Sequence, residues 1–477
     1  MTVFYFVCLC YKVRYTYRMT QQENHELKLT FCGGAGSVTG ANFLLESEHV
    51  KYLIDCGLAQ GSEDADETNW VPFTYDPKSI DILFVTHAHI DHIGRIPKLI
   101  HEGFKGRIIS TRPTKELALP MLLDTVAILG RNKEYDLAEM YNEKNIKKVF
   151  ENWDVFDYHD KINLEYGFQG EYLDSGHILG SGMLQLTYNG KKILFTGDLG
   201  NSPSPILCDT EVIKDIDFML MESVYGDRNH ESRDERKKML EDVIEDNYKR
   251  KGTLIMPMFS LERTQEILFE INDLVENKRV PEMPIYLDSP LGIKLTTVYR
   301  NYPDYLNETA QALIKSGDDI FSFPGLRVTQ ETTESKAILG APNPKIIIAG
   351  SGMSNGGRIL HHEQNYLPDP NNIILLTGYQ SVGTVGRDIS EGLPHVRIHG
   401  QDVPVRAQVR KISGYSGHKD RDHLITFVES SAATLKKVYV AMGEPASSQF
   451  LAQRLRDFLG IDAEAAEENK VVILNCN

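Results

Sequence analysis

The chain has 477 residues, of which 41% are hydrophobic and 25% charged, and its formal net charge is −16. The length predicts two to four domains, and the composition is that of a soluble globular protein, which excludes collagen-like, repeat and low-complexity architectures. The acidic balance disfavours a general nucleic-acid binder, because Lys and Arg supply most non-specific affinity for phosphates, so any nucleic-acid contact is expected to be confined to one cleft.

The first eighteen residues, MTVFYFVCLCYKVRYTYR, contain an apolar run of nine residues. That run is shorter than the ~20 residues that span a bilayer, and it lacks the flanking basic and small-residue signals of a signal peptide. We expect Met19 to be the natural start and residues 1–26 to form a dispensable or disordered extension, with a weak membrane-associating tail as the alternative. The six cysteines are scattered and indicate no disulfide framework, so a cytoplasmic location without a membrane is expected.

From Leu27 onwards, short apolar runs alternate with glycine-containing loops. LKLTFCGGAGSVTGANFLLES, KYLIDCG and IDILFVTHAH are predicted strands, GRIPKLIHEG is a predicted helix, and Asn189-Gly190 is a predicted hairpin turn. Strands that end in polar loops, with helices between them, indicate an α/β layered sandwich.

A second group of strand–loop–helix units begins with GTLIMPMFSLERTQEILFEIND and includes MPIYLDSPLGIKLTTVYR and PKIIIAGSGMSNGGRILHHEQNYL. Such units predict a parallel-sheet domain, which we place at residues 206–385. The final segment returns to strands such as VRAQVRKIS, and no Pro/Ser-rich linker separates the parts. We therefore expect this domain to be inserted into the first one, whose two parts are residues 27–205 and 386–477.

The stretch FVTHAHIDHIGR, residues 84–95, concentrates groups that bind metals. It contains His87, His89, Asp91 and His92. Zinc accepts imidazole nitrogen and carboxylate oxygen at about 2.0–2.2 Å, and two zinc ions ~3.5–4 Å apart can share a ligand. Further candidates end later strands, namely His177 in DSGHILGSG and Asp198 in FTGDLGN. Solvated loop histidines are the alternative, which these matching strand ends disfavour.

The motifs THAHIDH, LIDCG, DSGHILGSG and FTGDLGN, in the family's order, resemble the metallo-β-lactamase superfamily of hydrolases. The resemblance implies an αββα sandwich with two zinc ions. The resemblance also implies that the first zinc is held by His87, His89 and His177. The second is held by Asp91 and His92, while Asp198 bridges the two ions and Asp55 orients the site from behind.

The segments MESVYGDR, PMFSLERTQEIL, IYLDSPL and GSGMSNGGRILHH, followed by GYSGHKDRD, resemble the β-CASP branch of that superfamily. The resemblance implies an inserted β-CASP domain and a ribonuclease acting on single-stranded RNA, similar to the cleavage and polyadenylation endonuclease and its bacterial and archaeal relatives. It leaves a homodimer open. The implied catalytic residues are Asp55, Asp91, Glu222 and His418.

Phosphodiester hydrolysis needs a nucleophile, charge neutralisation and a proton for the leaving oxygen. A zinc-bound hydroxide can supply the nucleophile, and His418, polarised by Glu222, can supply the proton because imidazole titrates near neutrality. A hydrogen-bonded turn histidine is the alternative for His418.

Three residues of the predicted insert are candidate substrate contacts: Arg263, Ser351 and Arg358. The glycine-rich GSGMSNGGR at residues 350–358 follows a predicted strand, where backbone N–H groups and Arg358 can hold a phosphate. We expect Arg263 and Arg358 to face the metals across a cleft between the domains. A tight turn is the alternative for the glycine-rich loop, and a surface ion pair is the alternative for Arg263. His361 and His362 are either structural or minor phosphate contacts.

One position departs from the family's pattern. RNA-processing members carry a His-Gly-Glu triplet whose histidine binds the second zinc, whereas this chain has Met442-Gly443-Glu444. A thioether is a weaker zinc ligand than imidazole, so the second zinc is expected to bind weakly. A DNA-directed nuclease therefore stays open, as does a catalytically weakened RNA-binding homologue, although the intact ligand set argues against the latter.

Overall fold

The computed structural model describes residues 25–61, 65–129, 137–378 and 380–477, with the side chains of 65–67 excepted. The expectations for Met19 and the first eighteen residues lie outside this range. None of the described helices is both long and apolar enough to cross a membrane.

Two seven-stranded sheets form the first domain. The first sheet has the order β22-β1-β2-β3-β4-β5-β6 and contains β1 (Glu26–Gly33), β2 (Asn42–Glu46), β3 (Lys51–Ile54), β4 (Ile82–Phe84), β5 (Arg107–Thr111), β6 (Trp153–Phe156) and β22 (Val471–Asn475). The second has the order β21-β20-β11-β10-β9-β8-β7 and contains β7 (Ile162–Asn163), β8 (Gln169–Asp174), β9 (Gly182–Tyr188), β10 (Lys191–Phe195), β11 (Phe218–Met221), β20 (Lys437–Val440) and β21 (Ala463–Ala465).

The third sheet forms the insert, and its six strands are all parallel. Its order is β14-β13-β15-β12-β16-β19, with β12 (Thr253–Pro257), β13 (Ile285–Asp288), β14 (Leu326–Val328), β15 (Lys345–Ala349), β16 (Ile373–Leu376) and β19 (Gln408–Lys411). A separate hairpin consists of β17 (His395–Ile398) and β18 (Gln401–Pro404).

Fourteen α-helices occur in the described residues. Those of the first domain are α1 (Ala65–Trp70), α2 (Ile90–Ile93), α3 (Ile96–His101), α4 (Arg112–Leu129), α5 (Glu143–Glu151), α13 (Arg421–Glu429) and α14 (Pro445–Leu459). The others are α6 (Arg233–Arg250), α7 (Arg263–Glu276), α8 (Pro290–Asn301), α9 (Glu308–Lys315), α10 (Thr332–Ala337), α11 (Ile359–Tyr366) and α12 (Val385–Glu391).

Side-chain alternation along the strands explains the layers. In β3, Tyr52 and Ile54 point into the core between the two sheets, while Leu53 points into the opposite core under α4 and α5. Phe31 of the first sheet packs against Tyr439 of the second, with ring centroids 5.5 Å apart. Helices α13 and α14 cover the outer face of the second sheet. The predicted αββα sandwich with an inserted parallel-sheet domain is confirmed.

The hairpin turn lies where the sequence predicts it. Strands β9 and β10 are antiparallel, and both Asn189 and Gly190 between them have positive φ, at 46° and 75°. These are the dihedrals that a two-residue turn matched to the twist of the strands requires.

The boundaries of the insert differ from the predicted 206 and 385. Strand β11 pairs with β10 and β20 in the sandwich, so the chain leaves the sandwich only after Met221. Strand β19, which the sequence pattern assigned to the first domain, pairs with β16 at the edge of the insert sheet. Periodicity shows that a segment is a strand, but the choice of sheet depends on which neighbour has a free edge.

Candidate metal centre

The candidate ligands lie where strands of both sheets end. Asp55 follows β3, and the THAHIDH loop follows β4, which is parallel to β3. In the second sheet, His177 follows β8, Asp198 follows β10 and Glu222 follows β11. The carboxyl ends of these strands point to the same edge of the sandwich, so residues far apart in sequence converge there.

The first group consists of His87, His89, His177 and Asp198, whose ligand atoms all lie within 4.8 Å of one another. Nδ1 of His89 is 3.1 Å from Nε2 of both His87 and His177. Oδ2 of Asp198 is 3.5 Å from Nε2 of His87 and 3.4 Å from Nε2 of His177. Burial lowers the pKa of all three histidines, which keeps them in the neutral form that binds metal.

The second group consists of Asp91, His92 and Asp198. Nε2 of His92 is 3.3 Å from Oδ1 of Asp198 and is buried without a hydrogen-bond partner in the described structure. An orphaned buried nitrogen that faces two carboxylates fits a cation. Asp198 thus presents Oδ2 to the first group and Oδ1 to the second, as a bridging ligand does.

The charges of the second group also suit a metal. Burial opposes ionisation of Asp198, but His92 and His87 outweigh it and hold the pKa of this carboxyl well below its usual range. Burial likewise opposes protonation of His92, but Asp198 and Asp55 outweigh it and raise the pKa of His92 well above its usual value. A bound dication would take the place of that proton, because metal and proton compete for the same lone pair.

Asp55 contacts the candidate ligand His92 from behind the site, which suits the orienting role expected from the sequence. Its Oδ2 is 2.7 Å from Nδ1 of His92, which leaves Nε2 of that ring for the metal. The backbone N–H of Thr86 donates to Oδ1 of Asp55 and the Thr86 hydroxyl donates to Oδ2, both at 2.8 Å. That hydroxyl is also 3.1 Å from Nδ1 of His87. Sequence reasoning missed Thr86, although its place between a strand and the histidine loop was a signal.

Met442 does not supply a polar ligand to the second group. It is buried and packs in the hydrophobic cluster between the two sheets. It lies two residues after the end of β20, where the family's histidine is expected, and its φ is 46°. In the described structure, three carboxylate and imidazole side chains therefore converge on the second position, against four on the first.

A third group places His418 and Glu222 beside Asp198. Nδ1 of His418 is 3.1 Å from Oε2 of Glu222 and 3.9 Å from Oδ2 of Asp198. Glu222 is fully buried, and the backbone N–H of Leu199 donates to its Oε1. Burial lowers the pKa of His418, but the charge and hydrogen bond of Glu222, together with Asp198 and Asp91, outweigh burial and raise it to about 9. The imidazole is thereby held in its protonated form near neutrality.

Arg263 lies beside these groups. Its Nη1 donates to the carbonyl of Thr377. Gly417 lies close to both Arg263 and His177: a Cβ built on this glycine would be 3.8 Å from Nη2 of Arg263 and 3.1 Å from Cε1 of His177. The guanidinium therefore lines the boundary between the insert and the loop that ends at His418.

Arg358 pairs within the insert and does not face the candidate metal groups, which corrects our expectation. Its guanidinium donates to Oδ1 of Asp288 at 2.6 Å and to the carbonyls of Thr329 and Gln330 at 3.0 and 2.7 Å. Asp288 is fully buried and also lies 2.7 Å from Nε2 of His362. A buried carboxylate must be paired, so Arg358 and His362 serve the interior of the insert.

The glycine-rich loop closes on itself. The Ser351 hydroxyl donates to Oδ1 of Asn355 at 3.0 Å and to the carbonyl of Gly356 at 3.3 Å. These bonds suit the tight-turn alternative, and a phosphate contact by Ser351 stays a prediction. His361 lies against His399, with ring centroids 4.6 Å apart.

Comparisons with known proteins agree with this arrangement. Three family models match: the metallo-beta-lactamase superfamily at residues 38–248, the Beta-Casp domain at 264–389, and the Zn-dependent metallo-hydrolase RNA specificity domain at 402–466. A protein of unknown function from Enterococcus faecalis V583 shares the fold, with a TM-score of 0.55 and 12% identity over 94% of this chain and all of that one.

Relatives with higher sequence identity span almost the same region. Ribonuclease TTHA0252 of Thermus thermophilus is 35% identical over 83% of this chain and 89% of its own length. The RNase J-like protein of Methanocaldococcus jannaschii is 31% identical over 84% and 89%. The transcription termination factor FttA of Methanosarcina mazei is 27% identical over 97% and 74%.

Proposed function

Because this chain belongs to the β-CASP branch of the metallo-β-lactamase superfamily, we propose that it is a zinc-dependent ribonuclease that hydrolyses phosphodiester bonds of single-stranded RNA. The names of its relatives and its match to an RNA specificity domain support RNA as the substrate. Cytoplasmic location and a homodimer stay predictions from the sequence.

The observation that carries the proposal is the convergence of three groups on Asp198. Its two oxygens serve the two metal groups, and one of them lies 3.9 Å from Nδ1 of His418. Two bound zinc ions would lower the pKa of a coordinated water to near 7 and neutralise the phosphate oxygens. Asp55 and Thr86 fix the rings that would hold them.

His418 supplies what the metal ligands do not. With Nδ1 directed at Glu222, its Nε2 is the nitrogen available to donate a proton to the leaving oxygen. The side chain of His418 is 22% exposed whereas that of Glu222 is fully buried, so the imidazole is the partner that substrate can reach. Lactam or thioester hydrolysis makes less use of such a donor, which is why this pair favours phosphodiester chemistry.

The test uses RNA and DNA oligonucleotides of one sequence, each labelled at the 5′ or the 3′ end. The protein is expected to cleave the RNA, to lose cleavage when zinc is chelated, and to recover it on zinc addition. The sizes of the labelled products separate endonucleolytic from exonucleolytic cleavage. Asp198→Asn serves as the inactive control. Equal or faster cleavage of the DNA would refute the assignment to RNA and favour the DNA-directed alternative.

A further inference from the structure

A cavity of about 220 Å³ opens beside His418, between the sandwich and the insert. The segment after β11 and the insert both contribute to its wall. The residues that line it include Tyr225, Arg228, His230, Gly378, Arg387 and Lys411. The cavity is therefore built at the domain boundary, as a substrate path between two domains would be.

The cavity wall is cationic although the chain is strongly acidic. Among the described residues that line it, three carry a fixed positive charge and none is Asp or Glu. Arg387 pairs with Glu391 at 2.6 Å and Arg228 with Asp227 at 3.5 Å, and both pairs are partly exposed to water. Such pairs are weak and readily exchange for another anion.

Lys411 is the least compensated of these cations. Its Nζ donates to the carbonyl of Ser390, and no carboxylate lies within ion-pair distance of it in the part of the chain that the structure describes. The residue is exposed at the end of β19. A phosphate would neutralise this charge at little desolvation cost.

The cavity wall contacts the loop that carries His418. Nε2 of His230 is 3.1 Å from the carbonyl oxygen of His418, and the ring of Tyr225 lies 4.1 Å from that of His230. At the opposite wall, Gly378 lies against Arg263, the residue that borders the candidate metal centre. A Cβ built on Gly378 would be 2.8 Å from Nη1 of Arg263. Two of the cavity's walls are therefore in contact with residues that border the candidate metal centre, namely His418 and Arg263.

We propose that this cavity is a subsite for a backbone phosphate of the RNA segment that carries the leaving oxygen. The inference rests on the proposed function. Because His418 donates its proton to the leaving oxygen, the nucleotide that bears this oxygen must lie on the His418 side of the metals. The strand that continues from it reaches the cationic wall, where Lys411 contacts the next phosphate.

The first test compares Lys411→Gln with Arg410→Gln. Arg410 precedes Lys411 on β19, where side chains alternate between faces, and it pairs with Asp246 at 3.2 Å outside the cavity. Lys411→Gln is expected to raise KM for RNA roughly three- to tenfold for all sequences, and to reduce the slope of log affinity against log salt by about 0.7. Arg410→Gln is expected to leave both quantities unchanged.

The second test places a single uncharged methylphosphonate linkage next to the scissile bond, on one side or the other. On the leaving-oxygen side, it should weaken binding to the unmodified protein but add little to the defect of Lys411→Gln, since both changes remove the same contact. Additive penalties, or equal KM values for the two variants, would refute the subsite while leaving the ribonuclease standing. A protein that cleaves no RNA at all would refute the proposed function and the subsite together.

Discussion

Replacing Glu222 by Gln tests how the site keeps a proton donor available. The carboxylate of Glu222 lies 3.1 Å from Nδ1 of His418, and its charge is the largest of the effects that raise the pKa of this imidazole to about 9. The amide removes the negative charge but keeps the size of the side chain. Burial, which lowers the pKa of His418, remains, so the pKa is expected to fall towards or below the ordinary histidine value of about 6.5.

The expected loss of kcat follows from the pKa of His418 with and without the charge of Glu222. At pH 7.5, an imidazole with a pKa of about 9 is about 97% protonated, whereas one at about 6.5 is about 9% protonated. Glu222→Gln should therefore lose about tenfold in kcat at pH 7.5, and the loss should shrink as pH falls towards 6. Bound metal ions lower the pKa of His418 in both proteins, so the direction of the change is preserved. His418→Ala removes the donor and should lose ~10²–10⁴-fold at every pH.

The assay is single-turnover cleavage of end-labelled RNA between pH 6 and 9, with zinc content and RNA affinity measured on the same samples. Both variants should retain zinc, because neither residue belongs to the two metal groups. Glu363→Gln is a matched control: this carboxyl is also fully buried, and burial raises its pKa to about 8, so it is already largely neutral at pH 7.5. Full cleavage by His418→Ala, or a Glu222→Gln defect that is the same at every pH, would refute the proton-donor reasoning.

Three further predictions concern the metals, the contacts between the domains and the interior of the insert. Metal analysis after dialysis should find between one and two zinc ions per chain, because the second group has fewer ligands. Asp198→Asn should lose both ions together with activity. Two equally tight ions in the unmodified protein would contradict this. Tyr415→Phe removes a hydrogen bond from the His418 loop to a buried glutamate of α7, and it should lower kcat about tenfold without changing KM. The control is Tyr302→Phe, which removes a similar 2.6 Å hydrogen bond between the insert and α4 of the sandwich. It should change neither kcat nor KM. Arg358→Met should leave RNA affinity intact but lower the free energy of unfolding by about 3 kcal/mol, because Asp288 loses a buried partner; a weaker RNA affinity at unchanged melting temperature would restore the phosphate-binding role.

The candidate metal ligands could be predicted from the sequence alone. His87, His89, Asp91 and His92 lie within six positions after a short buried strand, so local backbone geometry alone brings them to one strand end. The other ligands end strands of their own, and the carboxyl ends of such strands meet at one edge of the sandwich. The parallel-sheet insert could also be predicted from the sequence, because its strand–loop–helix units recur along the chain.

Which arginine faces the candidate site could not be predicted from the sequence, because it depends on long-range contacts. Arg263 and Arg358 both follow a loop after a buried strand, and their sequence contexts are equivalent. The order of the insert sheet leads the first to the His418 loop and the second to Asp288, a buried carboxylate that no local pattern marks as needing a partner. Lys411 came to the domain boundary in the same way, because β19 pairs with β16 and not with the sandwich. Long-range pairing depends on which edges and buried charges remain unsatisfied after folding, and that information is spread over the whole chain.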